Sequence, residues 1–296
     1  MTSLSVVVST YDRPAFLEKV LRGYAVQSDK DFELLVADDG SGPETAALIA
    51  RARLSTGLSI VHVWHCHQGF RKSLILNRAI AAASGDYLVF TDGDCIPRED
   101  LVATHRRLAR RGRYVAGGYL KLPREVCDAI ELADIDSHRI TDLAWLRSKG
   151  WKPGKRALRL TRSPWFGAFC DAVTTTSADF QGNNASTWRE ALYVVNGFES
   201  DMGYGGLDQA LGYRLHNAGI IGRQARHRAV TMHLHHDRPY KDPEVIKKNR
   251  EIKKRIRKDG ETRAHNGLAE LGPDPSLKID RGDSSLKASD QRASVN

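Results

Sequence analysis

The apolar run Leu4-Ser5-Val6-Val7-Val8-Ser9 is short and β-branched, and Thr10-Tyr11-Asp12-Arg13-Pro14 closes it, a pattern that predicts a buried strand ending in a turn. A helix is expected next, over about 15–26. The pattern then repeats, with an apolar strand over 32–37, the turn-forming run Asp38-Asp39-Gly40-Ser41-Gly42-Pro43, and a helical stretch over about 44–54. A third strand is expected over 58–64, a third helix over about 71–83, and a fourth strand over 86–91 that runs into Asp92-Gly93-Asp94. Strands alternating with helices at this spacing predict an α/β fold, with a mostly parallel sheet flanked by helices and joined by right-handed crossovers.

Such sheets bind ligands in the crevice beyond the carboxyl ends of their strands. That rule puts Thr10, Tyr11, Asp12, Asp38, Asp39, Asp92 and Asp94 on one rim. The G-x-G-x-x-G fingerprint of dinucleotide binding is missing after the first strand, so carboxylates rather than glycines crowd this crevice. Beyond residue 100 the pattern supports a basic helix over 105–111, helices over 190–196 and 207–218, and a strongly basic helix over 244–258 whose sparse apolar face is Val245, Ile252 and Ile256. This last helix is expected on a surface. From Glu261 onward the chain is polar and lacks aromatic residues, which predicts disorder over 261–296.

Composition adds limits. Of the 296 residues, 41% are hydrophobic and 27% charged, ordinary values for a globular enzyme. A net charge of +9 implies attraction to a polyanion: nucleic acid, an anionic membrane or a phosphorylated substrate. The cysteines Cys66, Cys95, Cys127 and Cys170 form no C-x-x-C pair, which argues against a zinc knuckle or a disulfide framework and fits a reducing cytoplasm. The N-terminal apolar run is too short for a signal peptide, and no stretch approaches membrane-spanning length.

Asp92 and Asp94, one residue apart where a buried strand emerges, can share a hard divalent cation that carries a diphosphate. Asp in strand-end turns is common without any ligand. Asp38-Asp39 shifts the balance, because a second acidic strand end on the same rim would repel the first unless a cation or donor lies between them. Arg71 and Lys72 stand where a helix begins, a position suited to a phosphate. His233 and His235 would share one face of a strand, which fits metal binding and a solvated edge strand equally well.

Several segments, taken in order, carry a resemblance: Val6-Val7-Val8-Ser9-Thr10-Tyr11-Asp12-Arg13-Pro14, Ala37-Asp38-Asp39-Gly40-Ser41, Gly85-Asp86-Tyr87-Leu88-Val89-Phe90-Thr91-Asp92-Gly93-Asp94-Cys95-Ile96-Pro97, Gly182-Asn183-Asn184 and Val195-Asn196-Gly197-Phe198. The chain resembles the inverting family-two glycosyltransferases of the Rossmann-like GT-A fold, particularly bacterial members related to chondroitin polymerase. The resemblance implies one catalytic domain over 1–240, with a nucleotide-binding half (1–97) and an acceptor-binding half (98–240), followed by the basic helix (241–260) and the tail. It implies that Thr10, Tyr11, Asp12, Asp38 and Asp39 hold the nucleoside, that Asp92 and Gly93 approach the ribose, and that Asp94 ligates Mn2+ or Mg2+. Gly203-Tyr204-Gly205-Gly206-Leu207-Asp208 looks like the family's W-G-G-E-D segment, which makes Asp208 the candidate base. Here Tyr204 replaces the tryptophan and Leu207 the glutamate. Helix capping is the alternative role for Asp208. His233-Leu234-His235-His236 resembles the segment whose histidine completes the metal shell, with His233 the best match. Asn183, Asn184 and Gly206 fall at acceptor-loop positions, and Arg71 falls near the donor.

The expected activity is therefore transfer of a hexose or deoxyhexose from a UDP- or dTDP-linked sugar to a glycan or lipid-linked acceptor, in cell-surface polysaccharide or lipopolysaccharide synthesis. The expected location is the cytoplasm, with the basic helix touching the inner face of the membrane. A sugar nucleotidyltransferase is an alternative, although that class opens with a Gly-rich loop and Thr10-Tyr11-Asp12-Arg13-Pro14 contains no glycine. A nucleic-acid-binding protein is another, although no aromatic-interleaved basic motif supports specific binding.

Overall fold

The computed structural model describes residues 2–152, 154–237 and 241–282. The first half runs β1 (Leu4–Thr10), α1 (Pro14–Ala25), β2 (Glu33–Asp38), α2 (Pro43–Thr56), β3 (Ile60–Trp64), α3 (Lys72–Ala82), β4 (Tyr87–Asp92), β5 (Cys95–Pro97), α4 (Leu101–Leu108) and β6 (Arg113–Lys121). There follow α5 (Arg124–Asp128), α6 (Leu132–Asp136), α7 (Leu143–Ser148), a 3-10 stretch (Gly154–Leu160), α8 (Pro164–Val173), β7 (Asn184–Trp188), α9 (Arg189–Val194), α10 (Leu207–Asn217), β8 (Ile221–His233), α11 (Pro243–Asp259) and β9 (Lys278–Asp280).

Among the described residues the strands form one mixed sheet in the order β5-β8-β6-β7-β4-β1-β2-β3-β9. β1 lies parallel to β2 and to β4, and β2 parallel to β3, so the ends of β1, β2 and β4 meet on one rim as the alternating pattern predicts. Every residue of β1 is buried, as a central strand covered on both faces requires. Pro14 and Pro43 open α1 and α2 where a missing N–H costs nothing.

In the second half the apolar pattern marks helices but not the strands β6, β7 and β8. β7 runs antiparallel to both β4 and β6, while β6 runs parallel to β8 with a register shift at Gly117/Gly118. A Cβ on Gly117 would sit 2.3 Å from the Asn184 amide carbon, so only glycine lets these strands close. No helix among the described residues is long and apolar enough to cross a membrane.

The basic helix α11 lies on the surface as expected, with only Asn249 and Ile256 buried. The buried Asn249 amide donates to the carbonyls of Gly203, Tyr204 and Gly205, which ties α11 to the loop ahead of α10. The expected disorder is corrected over 261–282, where the chain is ordered. The Ala264 N–H bonds the Val195 carbonyl (3.0 Å), the Leu268 N–H bonds the Asn196 carbonyl (3.1 Å), and Ala264 and Leu268 are buried. β9 pairs antiparallel with β3, and Arg78 meets Asp274 at 2.7 Å. Polar composition argues only that a segment lacks a core of its own, and this one borrows the edge of another. The rest of the expected tail, 283–296, lies outside the described residues, as does the expected domain boundary at residue 240.

Candidate active site

The rim formed by β1, β2 and β4 opens into a cavity of about 990 Å³, near the upper end for ligand sites. It is lined by Thr10, Tyr11, Asp12, Asp39, Asp92, Gly93, Asp94, Asn183, Gly206, Asp208 and His233, so most of the residues singled out from sequence converge there. They come from six separate stretches of chain, held together by the sheet and by α10.

Asp38, Arg71 and Asn184 do not reach the cavity. Asp38 is wholly buried, accepting from His62 Nε2 (2.9 Å) and from the Ser41 N–H (2.8 Å), because the last residue of β2 points its side chain into the sheet layer. It shapes the turn that presents Asp39. The Arg71 guanidinium turns back to the Cys66 carbonyl, and it is the Arg71 backbone N–H that serves the site, donating to Asp39 Oδ2 (2.8 Å). Asn184 opens β7 and is buried, its amide donating to the carbonyls of Gly118 (2.7 Å) and Ala229 (3.0 Å) while its oxygen accepts from His105 Nε2 (2.9 Å). Burial pushes His105 down to about 4, so its neutral ring can accept at Nδ1 from the Ser186 hydroxyl. Asn184 is a strap across strands, and its neighbour Asn183 faces the cavity.

Asp39 is aimed with care. Arg78 Nη1 donates to His65 Nδ1 (2.7 Å), which leaves Nε2–H to bond Asp39 Oδ1 (2.7 Å). A carboxylate has about four acceptor sites, so two bonds leave capacity for a ligand donor. Around it, Asp12 takes φ 47°, with its N–H bonded to Ser41 Oγ (2.8 Å), and Tyr11 stacks on His67 with ring centroids 4.4 Å apart.

Asp92 Oδ1 accepts from Ser9 Oγ (2.7 Å) and Lys72 Nζ (2.6 Å). Burial would lower the Lys72 ammonium, but the carboxylates of Asp92, Asp208 and Asp94 outweigh it and its pKa is raised. Lys72 therefore stays charged among Asp92, Asp94 and Asp208 and eases the repulsion among those three carboxylates. Asp208, in the first turn of α10, does not cap it: Gly206 stands at the cap, with φ 87°. Asp208 Oδ1 is buried and has no hydrogen-bond partner among the described residues, and burial raises its carboxyl, with Lys72 opposing and Asp92 assisting. Leu207, in the glutamate position, is buried in the core.

Asp94 stands among imidazoles. His236 Nε2 lies 2.7 Å from Asp94 Oδ2, and His233 Nε2 lies 3.9 Å from Oδ1. His233 Nδ1 donates to the Leu234 carbonyl (2.8 Å), the backbone anchor that orients metal-binding histidines through Nε2. Burial favours the neutral Asp94 carboxyl, but the His236 hydrogen bond and the His233 charge prevail and hold it at about 2. The Asp94 hydrogen bond raises His236 in turn. Cys95 Sγ lies within 4.8 Å of the Asp94 and His233 ligand atoms, yet burial drives its thiol pKa well up, so it remains a donor to Asp94 (3.2 Å) and a poor ligand. A carboxylate with imidazole suits a Mn2+-type cation better than a thiolate-seeking one.

By resemblance His236 ranks behind His233, and no local signal marks Tyr119, Lys121, Arg250 or Lys253, which also line the cavity.

Residues 5–133 match the family model described as Glycosyl transferase family 2. The chain is similar to validoxylamine A glucosyltransferase of Streptomyces hygroscopicus subsp. jinggangensis, 30% identical over 233 residues that cover 73% of this chain and 52% of the relative. It is also similar to chondroitin synthase of Escherichia coli, 24% identical over 253 residues, 82% of this chain and 36% of that one. The chain thus spans about half the length, or less, of these curated relatives. Among solved structures it is similar to a mannosyltransferase from Pyrobaculum calidifontis in complex with GDP-Man and Mn2+, with TM-score 0.54 and 19% identity, covering 100% of this chain and 81% of that one. S. aureus TarS in complex with UDP-GlcNAc gives TM-score 0.55 and 15% identity, over 84% of this chain and 65% of that one. The architecture is the GT-A type.

Proposed function

Because residues 5–133 of this chain form a glycosyltransferase family 2 domain, we propose that the protein transfers a hexose or deoxyhexose, with inversion, from a UDP- or dTDP-linked sugar to a glycan or lipid-linked acceptor. Cell-surface polysaccharide or lipopolysaccharide synthesis at the cytoplasmic face of the membrane is the corresponding setting. The observation that carries the reading is one cavity that holds both a buried carboxylate with an unengaged oxygen, Asp208, and a carboxylate–imidazole cluster, Asp94 with His233 and His236. The family match favours sugar transfer over the nucleotidyltransferase and nucleic-acid-binding alternatives.

Thr10, Tyr11, Asp12 and Asp39 bind the nucleoside in this reading, and Asp92 and Gly93 approach its ribose. Asp94, His233 and His236 would hold Mn2+ or Mg2+. A cation there supplies Lewis-acid neutralisation of the charge that develops on a departing diphosphate. Lys72 adds a fixed positive charge beside it. Asn183 and Gly206 border the acceptor, and Asp208 takes the acceptor hydroxyl's proton as that oxygen attacks the anomeric carbon. The raised pKa of Asp208 makes it a stronger base than an exposed carboxylate.

Isothermal titration with UDP, dTDP, GDP and ADP, each with and without Mn2+, tests the reading. Metal-dependent binding of one nucleotide by the native protein, lost in Asp94→Ala, is expected. Binding of none, or equal binding by the variant, overturns it.

A further inference from the structure

We propose that α8 and the 3-10 stretch before it form a docking face for an anionic lipid surface. Gly167, Cys170 and Asp171 of α8 are buried, with Asp171 accepting from Arg228 Nε (2.6 Å) and the His227 N–H (2.9 Å) of β8. At about 100° per residue, Trp165, Phe166, Phe169 and Val173 fall on the opposite side of the helix. All four are exposed, Trp165 at 87%, and Leu158 of the 3-10 stretch is exposed with them. Single exposed apolar side chains are ordinary, but a bulky contiguous set marks an interaction surface.

The face is built, not left over from a loose loop. The guanidinium of Arg98, 4% exposed, donates to the carbonyls of Arg159, Thr161 and Arg228, and Arg162 pairs with Glu99. These bonds pin the segment to β8, the strand that ends at the cavity residue His233.

Charge selects the occupant. No Asp or Glu occurs between Asp142 and Asp171, whereas Lys149, Lys152, Lys155 and Arg156 are all exposed there. Exposed aromatic side chains and exposed cations within one acid-free stretch of chain are the chemistry of a membrane interface carrying anionic lipid. A second copy of this chain fits poorly, because a two-fold contact through this face would bring together two cationic patches with no Asp or Glu between Asp142 and Asp171 to offset them. The basic helix α11 has no comparable exposed apolar face: Ile256 is in the core, Ile252 packs against it, and Val245 and Ile246 are half-buried. Docking through α8 is independent of the transfer reading, since vesicle binding needs no donor.

Flotation of the full chain with phosphatidylcholine vesicles, with and without phosphatidylglycerol, tests the proposal. Binding to the anionic vesicles alone is expected, weakened by about tenfold or more in Trp165→Ser/Phe169→Ser and in Lys152→Glu/Lys155→Glu/Arg156→Glu, and little changed in Lys247→Glu/Lys248→Glu/Lys254→Glu on α11. Circular dichroism and nucleotide titration should show every variant folded. The proposal is overturned if anionic vesicles are not bound, or if only the α11 variant loses binding. It is equally overturned if the Trp165/Phe169 variant turns a concentration-dependent dimer into a monomer and leaves vesicle binding unchanged.

Discussion

Asp208 shows how much a single side chain inherits from its surroundings. Burial raises its carboxyl above the ordinary Asp value of about 3.9, and Lys72 restrains the rise. In the proposed role Asp208 must be deprotonated, so activity is expected to be present at neutral pH and to fall as pH drops through that raised value. Lys72→Met removes the restraint and should move the acidic limb of the kcat profile to still higher pH; an unmoved limb would mean that Asp208 is not the titrating group. Asp208→Asn should lower kcat by roughly a hundred- to ten-thousand-fold while nucleotide titration stays close to native. At residue 40 the constraint is steric. Gly40 takes φ 93°, and a Cβ there would lie 2.4 Å from the His67 amide nitrogen, so Gly40→Ala should cost at least about 1–3 kcal/mol in urea unfolding. The turn-forming Asp39-Gly40 run was legible in sequence, whereas the His67 backbone that makes glycine obligatory was not, since it arrives from beyond β3.

At the scale of elements, the first four strands and three helices were legible to within about two residues of their ends, because β-branched runs and 3.6-residue spacing are local signals. β7 was not. Its sequence Asn-Ala-Ser-Thr-Trp reads as polar, yet all five residues are buried, with Asn184 and Ser186 bonded to His105 and Ser186 also to Tyr87. Polar side chains inside a sheet are invisible to a hydrophobicity pattern. α11 was legible as a helix, but its docking through Asn249 was not. Asn249→Ala leaves the carbonyls of Gly203, Tyr204 and Gly205 without that donor and should cost about 1–3 kcal/mol. Because the loop carries Gly206 at the cavity, the same variant should raise KM more than it lowers kcat.

For the molecule as a whole, the segment over 261–282 closes the edge of the sheet at β3 and covers the turn at Asn196. Removing everything after Asp259 should lower Tm by about 5 °C or more, since the burial of Leu268 and the Arg78–Asp274 pair are both lost. Asp274 adds a pH dependence. The Ser276 hydroxyl and N–H, together with Arg78, hold its carboxyl below the ordinary range. Its stabilisation is therefore present above the unfolded carboxylate value and lost as pH falls toward the depressed folded one. Asp274→Asn should lower Tm at pH 7 and converge on the native protein in strong acid. The alternation of strands and helices and the acidic rim at the strand ends are legible in the chain alone, because periodicity and turn chemistry are written within a few adjacent residues. That Asp39 rather than Asp38, Lys72 rather than the Arg71 side chain, and Asn183 rather than Asn184 face the cavity follows from the fold. Adjacent side chains where a strand or helix begins or ends point to different sides, and which side is the cavity depends on partners far away in the chain.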